Sequence, residues 1–112
     1  MEDKVFIKDS NLHIHYEVFN PFEFRKDIRK DFTPINEINF ILEHVGTKGG
    51  FHGFEIIGFK KRDYHVTSDR YVTEYEVLRE YGRGSRHIFE GIKKVLPDLK
   101  IQTITEKGSA YV

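Results

Sequence analysis

A glycine-rich turn with basic and hydroxyl side chains is the segment of this sequence best suited to chemistry. In "REYGRGSRHIFEGI", residues 79–92, a strand-like run is joined to a helix-like run by Gly82, Arg83, Gly84, Ser85 and Arg86. The unpaired backbone N–H groups of a helix N-terminus converge on one point and attract phosphate. The glycines permit close backbone approach, and the arginines can add charge-assisted hydrogen bonds. The turn therefore predicts an anion site, and its simplest alternative is a structural turn in which Ser85 caps the helix.

Two common phosphate-binding motifs are absent from the sequence. No Gly-Lys-Ser or Gly-Lys-Thr follows a first glycine at the spacing of a P-loop, and the turn does not complete the dinucleotide pattern G-x-G-x-x-G. The sequence therefore argues against a P-loop nucleoside triphosphatase and against a nicotinamide-dependent enzyme.

The longer segment "EYEVLREYGRGSRHIFEGI" resembles the central motif of the GCN5-related N-acetyltransferases. In that family a strand, an Arg/Gln-x-x-Gly-x-Gly/Ala turn and a helix hold acetyl-CoA. The resemblance implies that Val77 and Leu78 lie on the cofactor strand and that the turn from Gly82 to Arg86 binds the pyrophosphate. It also implies transfer of an acetyl group to an amine, on a small molecule or a protein. Glu74 or Glu76 would then be the general base, although a solvent-facing strand position is the simpler interpretation of each carboxylate.

A non-enzymatic function is the alternative hypothesis. A small inhibitor or interaction module of the phage or plasmid type, which occludes a host protein, is consistent with the same sequence. Four tyrosines are expected to cluster around the turn, where they could line a ligand groove or a protein interface: Tyr64, Tyr71, Tyr75 and Tyr81.

Composition limits the classes of partner. The 112 residues suit one domain, residues 1–112, and the 18 basic and 18 acidic residues give a formal net charge of zero. General attraction to nucleic acid or to a membrane is therefore not expected. The segment "FRKDIRKDF" mixes charges at helical spacing, which is typical of a solvated helix face rather than a nucleic-acid-binding stripe. Without cysteine, disulfides and thiolate chemistry are excluded. No apolar stretch approaches the length of a membrane span, and "MEDKVFIKDS" lacks the pattern of a signal peptide, so a soluble cytoplasmic protein is expected.

Two histidines with a spacing of two residues are the only metal-site candidate. His13 and His15 lie on the polar face of a strand-like run, and such a pair can bind a metal. The sequence shows no recognisable third ligand, so we expect a polar sheet face and no dedicated metal site.

The N-terminal half is predicted to contain a hairpin followed by two helices. "KVFIK" and "LHIHYEVF" flank turn residues and predict two antiparallel strands. Asn20 followed by Pro21 predicts the start of a helix, in which Phe24, Ile28 and Phe32 share a four-residue spacing. Thr33 and Pro34 predict a second helix that ends at Gly46, with its apolar stripe formed by Ile35, Ile38, Ile41, Leu42 and Val45.

The C-terminal half is predicted to form the central sheet and a helix on it. "FHGFEIIGF", residues 51–59, is apolar at both parities and predicts a central strand covered on both faces. Residues 71–78 and 99–105 predict further strands, and residues 86–96 a helix packed through Ile88, Ile92 and Val95. The predicted fold class is α/β, with a mixed, mostly antiparallel sheet flanked by helices. Its element order is strand, two helices, two to three strands, helix and strand.

Overall fold

The computed structural model describes residues 3–106, and strands account for 64% of these residues against 13% for helices. Within this range the chain forms seven strands, one short 3-10 helix and one α-helix. In chain order they are β1 (Lys4–Lys8), β2 (Asn11–Asn20), β3 (Arg25–Pro34), the 3-10 helix Ile35–Glu37, β4 (Phe40–Gly46), β5 (Phe51–Thr67), β6 (Arg70–Tyr81), α1 (Arg86–Val95) and β7 (Ile101–Glu106).

The first sheet contains β1, β2 and β3 in that order, and all of its neighbours are antiparallel. Asp9 and Ser10 connect β1 to β2 with positive φ angles of 51° and 63°, which confirms the predicted hairpin. Leu12 and Ile14 of β2 are buried, while His13 and His15, which alternate with them, point to the opposite face.

The second hairpin of this sheet turns at the Asn20-Pro21 pair. The Asn20 side-chain oxygen accepts hydrogen bonds from the backbone N–H groups of Phe22 and Glu23, at 3.0 and 3.2 Å. An asparagine at the start of a helix makes the same bonds, but here they close a turn between two strands. Phe24 completes the turn with a positive φ angle of 50°.

The second sheet has the strand order β6-β5-β4-β7. The β5 strand pairs antiparallel with both β4 and β6, whereas β7 pairs parallel with β4 after the chain has crossed through α1. The predicted strands at 51–59, 71–78 and 99–105 are thus confirmed as parts of one sheet, with β5 in its interior.

The predicted α/β fold with flanking helices is wrong, because both helices predicted between Pro21 and Gly46 are strands. Phe24, Ile28 and Phe32 are four residues apart, and a four-residue spacing is also a multiple of the two-residue period of a strand. Residues 25–34 form β3, and residues 40–46 form β4. The element order of an acetyltransferase is therefore not found in residues 3–106.

One hydrophobic core joins the two sheets and α1. Leu12 and Ile14 from the first sheet face Ile41, Phe54 and Ile56 from the second. The predicted helix is confirmed, and its buried side chains enter this core: Ile88, Phe89 and Ile92. The helix also packs closely on β1, because a Cβ atom at Gly91 would lie 2.9 Å from Val5 Cγ2. No helix within residues 3–106 is long and apolar enough to cross a membrane.

The β5–β6 hairpin projects beyond the rest of its sheet. β4 pairs with β5 only as far as Ile57, whereas β5 and β6 remain paired from Lys60 and Tyr75 to the turn beyond Thr67. We call residues 60–75 the arm. The turn at its tip, between Thr67 and Arg70, confirms the predicted break near residues 68 and 69.

Gly53 is required by a close contact between the backbones of β5 and β6. A Cβ atom at this position would lie 2.3 Å from the Tyr81 carbonyl oxygen, and the φ angle of Gly53 is 152°. We expect Gly53→Ala to lower the free energy of unfolding by at least about 2 kcal/mol, because the strands must separate. Gly82→Ala is the matched control, since a Cβ atom there meets nothing within 4 Å. Urea unfolding of both variants checks this, and equal stability of the two would contradict the proposed contact.

Candidate functional site

The glycine turn connects the end of β6 to the start of α1. The Ser85 hydroxyl is buried and donates a hydrogen bond to the Gly82 carbonyl oxygen, so it closes the turn and does not cap the helix. Gly84 has a φ angle of 84°, a conformation that favours glycine. Gly82 has neither a positive φ angle nor a crowded Cβ position. The local geometry of the turn therefore depends on Gly84 and Ser85 more than on Gly82.

The two arginines of the turn have different surroundings. The Arg86 guanidinium lies over the Phe51 ring, 5.0 Å from its centroid. Arg83 makes no hydrogen bond or ion pair with any other residue between 3 and 106, and it lines the cavities on both sides of the turn. Both arginines therefore keep their N–H donors, but the Arg86 guanidinium is held on Phe51, whereas Arg83 borders the two cavities beside the turn.

A carboxylate of the chain itself lies beside the N-terminus of α1. The Asp3 carboxylate accepts a hydrogen bond from the Glu17 backbone N–H at 3.0 Å, and its other oxygen contacts the His87 ring in the first helical turn. Asp3 and Glu17 both line the cavity in front of Gly84 and Ser85. Asp3 therefore already places negative charge beside the helix N-terminus, and its carboxylate would repel a second anion in this cavity.

The remaining residues implied by the acetyltransferase resemblance lie along β6, away from the turn. Val77 is half-exposed, and Leu78 packs against Gly58. Glu74 is eight residues before Gly82 and Glu76 is six, which separates them from it by about 26 Å and 20 Å along an extended strand. The structure therefore does not bring Glu74 or Glu76 together with the turn.

Glu74 and Asp63 instead hold the two strands of the arm together. The Arg62 guanidinium donates to the Glu74 carboxylate and lowers its pKa. Asp63 accepts hydrogen bonds from Lys60, Tyr71 and Thr73, and these bonds lower its pKa to about 2. Each carboxylate contacts the facing strand, so both are parts of a cross-strand network.

The four tyrosines do not form one cluster. Tyr81 is buried at the turn, where its hydroxyl donates to the Asp31 carboxylate at 2.8 Å, and burial together with Asp31 raises its pKa. Tyr64, Tyr71 and Tyr75 are exposed on the arm. Tyr71 lies against His65, and Tyr75 lies edge-on to Phe40.

A cavity that the sequence did not predict lies beside the turn. It has a volume of about 630 Å³, and its polar lining side chains are His44, His52, Glu55, Glu80 and Arg83. His44 Nε2 lies 3.7 Å from Glu55 Oε1. His44 and His52 flank the turn between β4 and β5, which contains "GTKGG", residues 46–50. A prediction of a hairpin turn at this segment would have placed the two histidines close together.

No metal centre is formed by residues 3–106, in which no three His, Cys, Asp or Glu side chains lie close enough to hold an ion. His13 and His15 lie edge-on to each other, with ring centroids 6.2 Å apart. The cavity beside the turn is lined by side chains of mixed charge, and this lining does not define a reaction.

Comparison with known proteins gives no relative: no family model, no curated protein and no solved structure matches this chain.

The arm is expected to loosen in acid. The folded pKa of Asp63, about 2, lies below its ordinary value of 3.8, so its hydrogen bonds stabilise the arm above that value and are lost as the pH falls toward 2. We expect amide hydrogen exchange at Tyr71 and Thr73 to accelerate between pH 4 and pH 2, beyond the intrinsic effect of pH. Asp63→Asn, which cannot titrate, is the control. The same acid dependence in that variant would exclude Asp63 as the cause.

Proposed function

We propose that this chain is a non-enzymatic interaction module that binds a protein partner through the arm. The observation that carries the proposal is the set of large apolar side chains exposed along the arm and at its base. Their exposed fractions lie between 41% and 57%, and they belong to Phe59, Tyr64, Val66, Tyr71, Tyr75 and Val77. In the pairing of β5 with β6, Tyr71, Tyr75 and Val77 lie on one face of the hairpin, and Tyr64 lies on the other. Exposed aromatic side chains on one face are typical of protein-binding surfaces.

The geometry of the arm favours this function. An isolated two-stranded ribbon is marginally stable in water, and beyond Ile57 the arm has no third strand within residues 3–106. Cross-strand contacts of Arg62 with Glu74 and of Asp63 with Thr73 hold the ribbon in one register. A ribbon ordered in this way loses little conformational entropy on binding, and a partner would cover its exposed rings.

The charges of the arm favour a protein over a polyanion. Between residues 58 and 77 there are four basic residues, Lys60, Lys61, Arg62 and Arg70, and four acidic ones, Asp63, Asp69, Glu74 and Glu76. A segment with no net charge attracts neither nucleic acid nor anionic lipid. Its charges of both signs can pair with complementary charges on a protein partner and so favour that partner over others.

Two features weigh against acetyl transfer at the turn. The N-terminus of α1 already faces Asp3, which opposes binding of a pyrophosphate. Glu74 and Glu76 lie on the arm and not beside the turn, so neither is in place to take a proton from an amine held there.

Photocrosslinking tests the proposed interface. A photoreactive phenylalanine analogue at Tyr71 or Tyr75, expressed in the cells that make the protein, should give a discrete adduct with a second protein. The same analogue at Lys94, which is exposed on α1, is the matched control. Val66→Ser and Tyr71→Ser should remove the adduct formed at position 75, because they delete exposed contact area. Adducts of equal yield at positions 75 and 94, or none at either arm position, would overturn the proposal.

Calorimetric titration with acetyl-CoA tests the competing hypothesis. We expect no binding at millimolar ligand. Saturable binding by the parent protein that Gly84→Val abolishes would favour the acetyl-CoA function instead, since backbone access at the turn would then be essential. Arg83→Ala should in that case weaken binding by only about 1 to 3 kcal/mol, the value of one charge-assisted contact.

A further inference from the structure

The side of the first sheet that points away from the core carries aromatic rings together with lysines. Because β1, β2 and β3 are in register, alternate residues of each strand meet on this side. We call it the outer face, and it carries Lys4, Phe6, Lys8, His13, His15, Glu17, Phe19, Lys26, Ile28, Lys30 and Phe32.

Aromatic rings form a continuous path across the outer face. The Phe6 and His13 rings stack with centroids 5.0 Å apart and planes 3° from parallel. His15 packs edge-on against Phe6 at 5.0 Å, and Phe32 lies 6.0 Å from His13 on the other side. Phe32 is 58% exposed, so one ring face remains open to a ligand. Three neighbouring strands thus present a platform of rings about 10 Å wide.

Positive charge is concentrated on the same side. Within residues 3–106, the outer face has four lysines and a single carboxylate, that of Glu17, whose Oε2 lies 3.6 Å from Lys26 Nζ. The alternation along β3 produces this separation, because "RKDIRKDF" places Lys26 and Lys30 on the outer face and both of its aspartates on the other. The outer face is therefore basic, although the chain as a whole has no net charge.

The surroundings of His15 are consistent with a positive local potential. Desolvation, Lys30, His13 and Lys4 together lower the pKa of His15, in that order of importance. These groups come from all three strands, and Glu17 is the acidic residue nearest to them along β2. A negative ligand at this position would reverse the contribution of the lysines.

We propose that the outer face binds a single-stranded nucleic acid, with bases stacked on Phe6 and Phe32 and phosphates paired with Lys4, Lys8 and Lys30. A shallow depression of about 400 Å³ is lined by both rings, both histidines, Lys8 and Lys30. Rings flanked by cations on an open sheet recognise unpaired bases through stacking and the backbone through charge. A duplex hides its bases, so the rings favour a single strand. This site is separate from the arm and from the proposed protein interface.

Fluorescence anisotropy with a labelled oligothymidylate and a labelled oligouridylate, each of about twelve nucleotides, tests the proposal. We expect both to bind the full chain, and a duplex of the same length to bind more weakly. Neutralising three phosphates predicts about a 20-fold loss of affinity between 50 and 200 mM salt. Phe32→Ala should weaken binding by about 5- to 150-fold, which corresponds to one lost stacking contact.

Two matched controls test whether binding requires the outer face itself, or only positive charge or an exposed ring anywhere on the protein. Arg29 precedes Lys30 by one position and lies on the opposite face, so Lys30→Ala and Arg29→Ala remove equal charge from opposite sides of β3. Phe22 is 93% exposed in the hairpin turn, so Phe22→Ala removes a ring outside the outer face. Only Lys30→Ala and Phe32→Ala should weaken binding. Circular dichroism should show that all four variants are folded.

Each outcome decides for or against the outer face. Equal losses for Lys30→Ala and Arg29→Ala, or equal affinity for duplex and single strand, would overturn base stacking on this surface. Absence of oligonucleotide binding at low salt, with binding to phosphatidylserine vesicles, would assign the surface to a membrane instead. A rise in the His15 pKa on addition of oligonucleotide, measured by NMR, supports contact at the ring path, and an unchanged pKa contradicts it.

Discussion

The hydrogen bond from Tyr81 to Asp31 fixes the two sheets relative to each other. The Tyr81 ring stacks on Phe54 within its own sheet, at 5.0 Å, and meets Tyr16 of the first sheet edge-on at 5.8 Å. Its hydroxyl would be costly to bury without a partner, and the Asp31 carboxylate supplies one across the gap between the sheets. Arg79, two residues earlier, donates to the Phe32 carbonyl oxygen. The end of β6 is therefore anchored immediately before the turn, and this anchor sets where α1 begins.

The limits of sequence reasoning are clearest in residues 20–46. The spacing of Phe24, Ile28 and Phe32 satisfies a helical and a strand period equally, and asparagine before proline begins turns as well as helices. Residues 25–34 form a strand because they pair with β2. This pairing depends on the fold of the whole sheet, so the local sequence could not reveal it. The second half was predictable because its signals were unambiguous. Residues 51–59 are apolar at odd and even positions alike, as in a strand that is covered on both faces. The helical pattern of Ile88 and Ile92 is bounded by a glycine turn before it and a proline after it.

The same change of period alters the function that the charges suggest. In a helix, the charges of "FRKDIRKDF" would be spread around a solvated surface. In a strand, its lysines lie on one face of the sheet and its aspartates on the other. The composition of the turn was equally ambiguous, since glycines and arginines suit a phosphate. What distinguishes the two interpretations is Asp3, which reaches the helix N-terminus from more than eighty residues away in sequence. No local pattern could place it there.

The pairing of β4 with β7 gives the fold a late step. Residues 41–46 are joined to residues 101–106 across a separation of sixty positions, with β5, β6 and α1 between them. Such a contact closes slowly, because its loop entropy is lost before the contact contributes stability. During synthesis, β4 can pair with β5 as soon as that hairpin emerges, whereas its other edge stays open until β7 has been made. A nascent chain therefore has an unprotected strand edge while about sixty residues are made, and an open strand edge can pair with other chains.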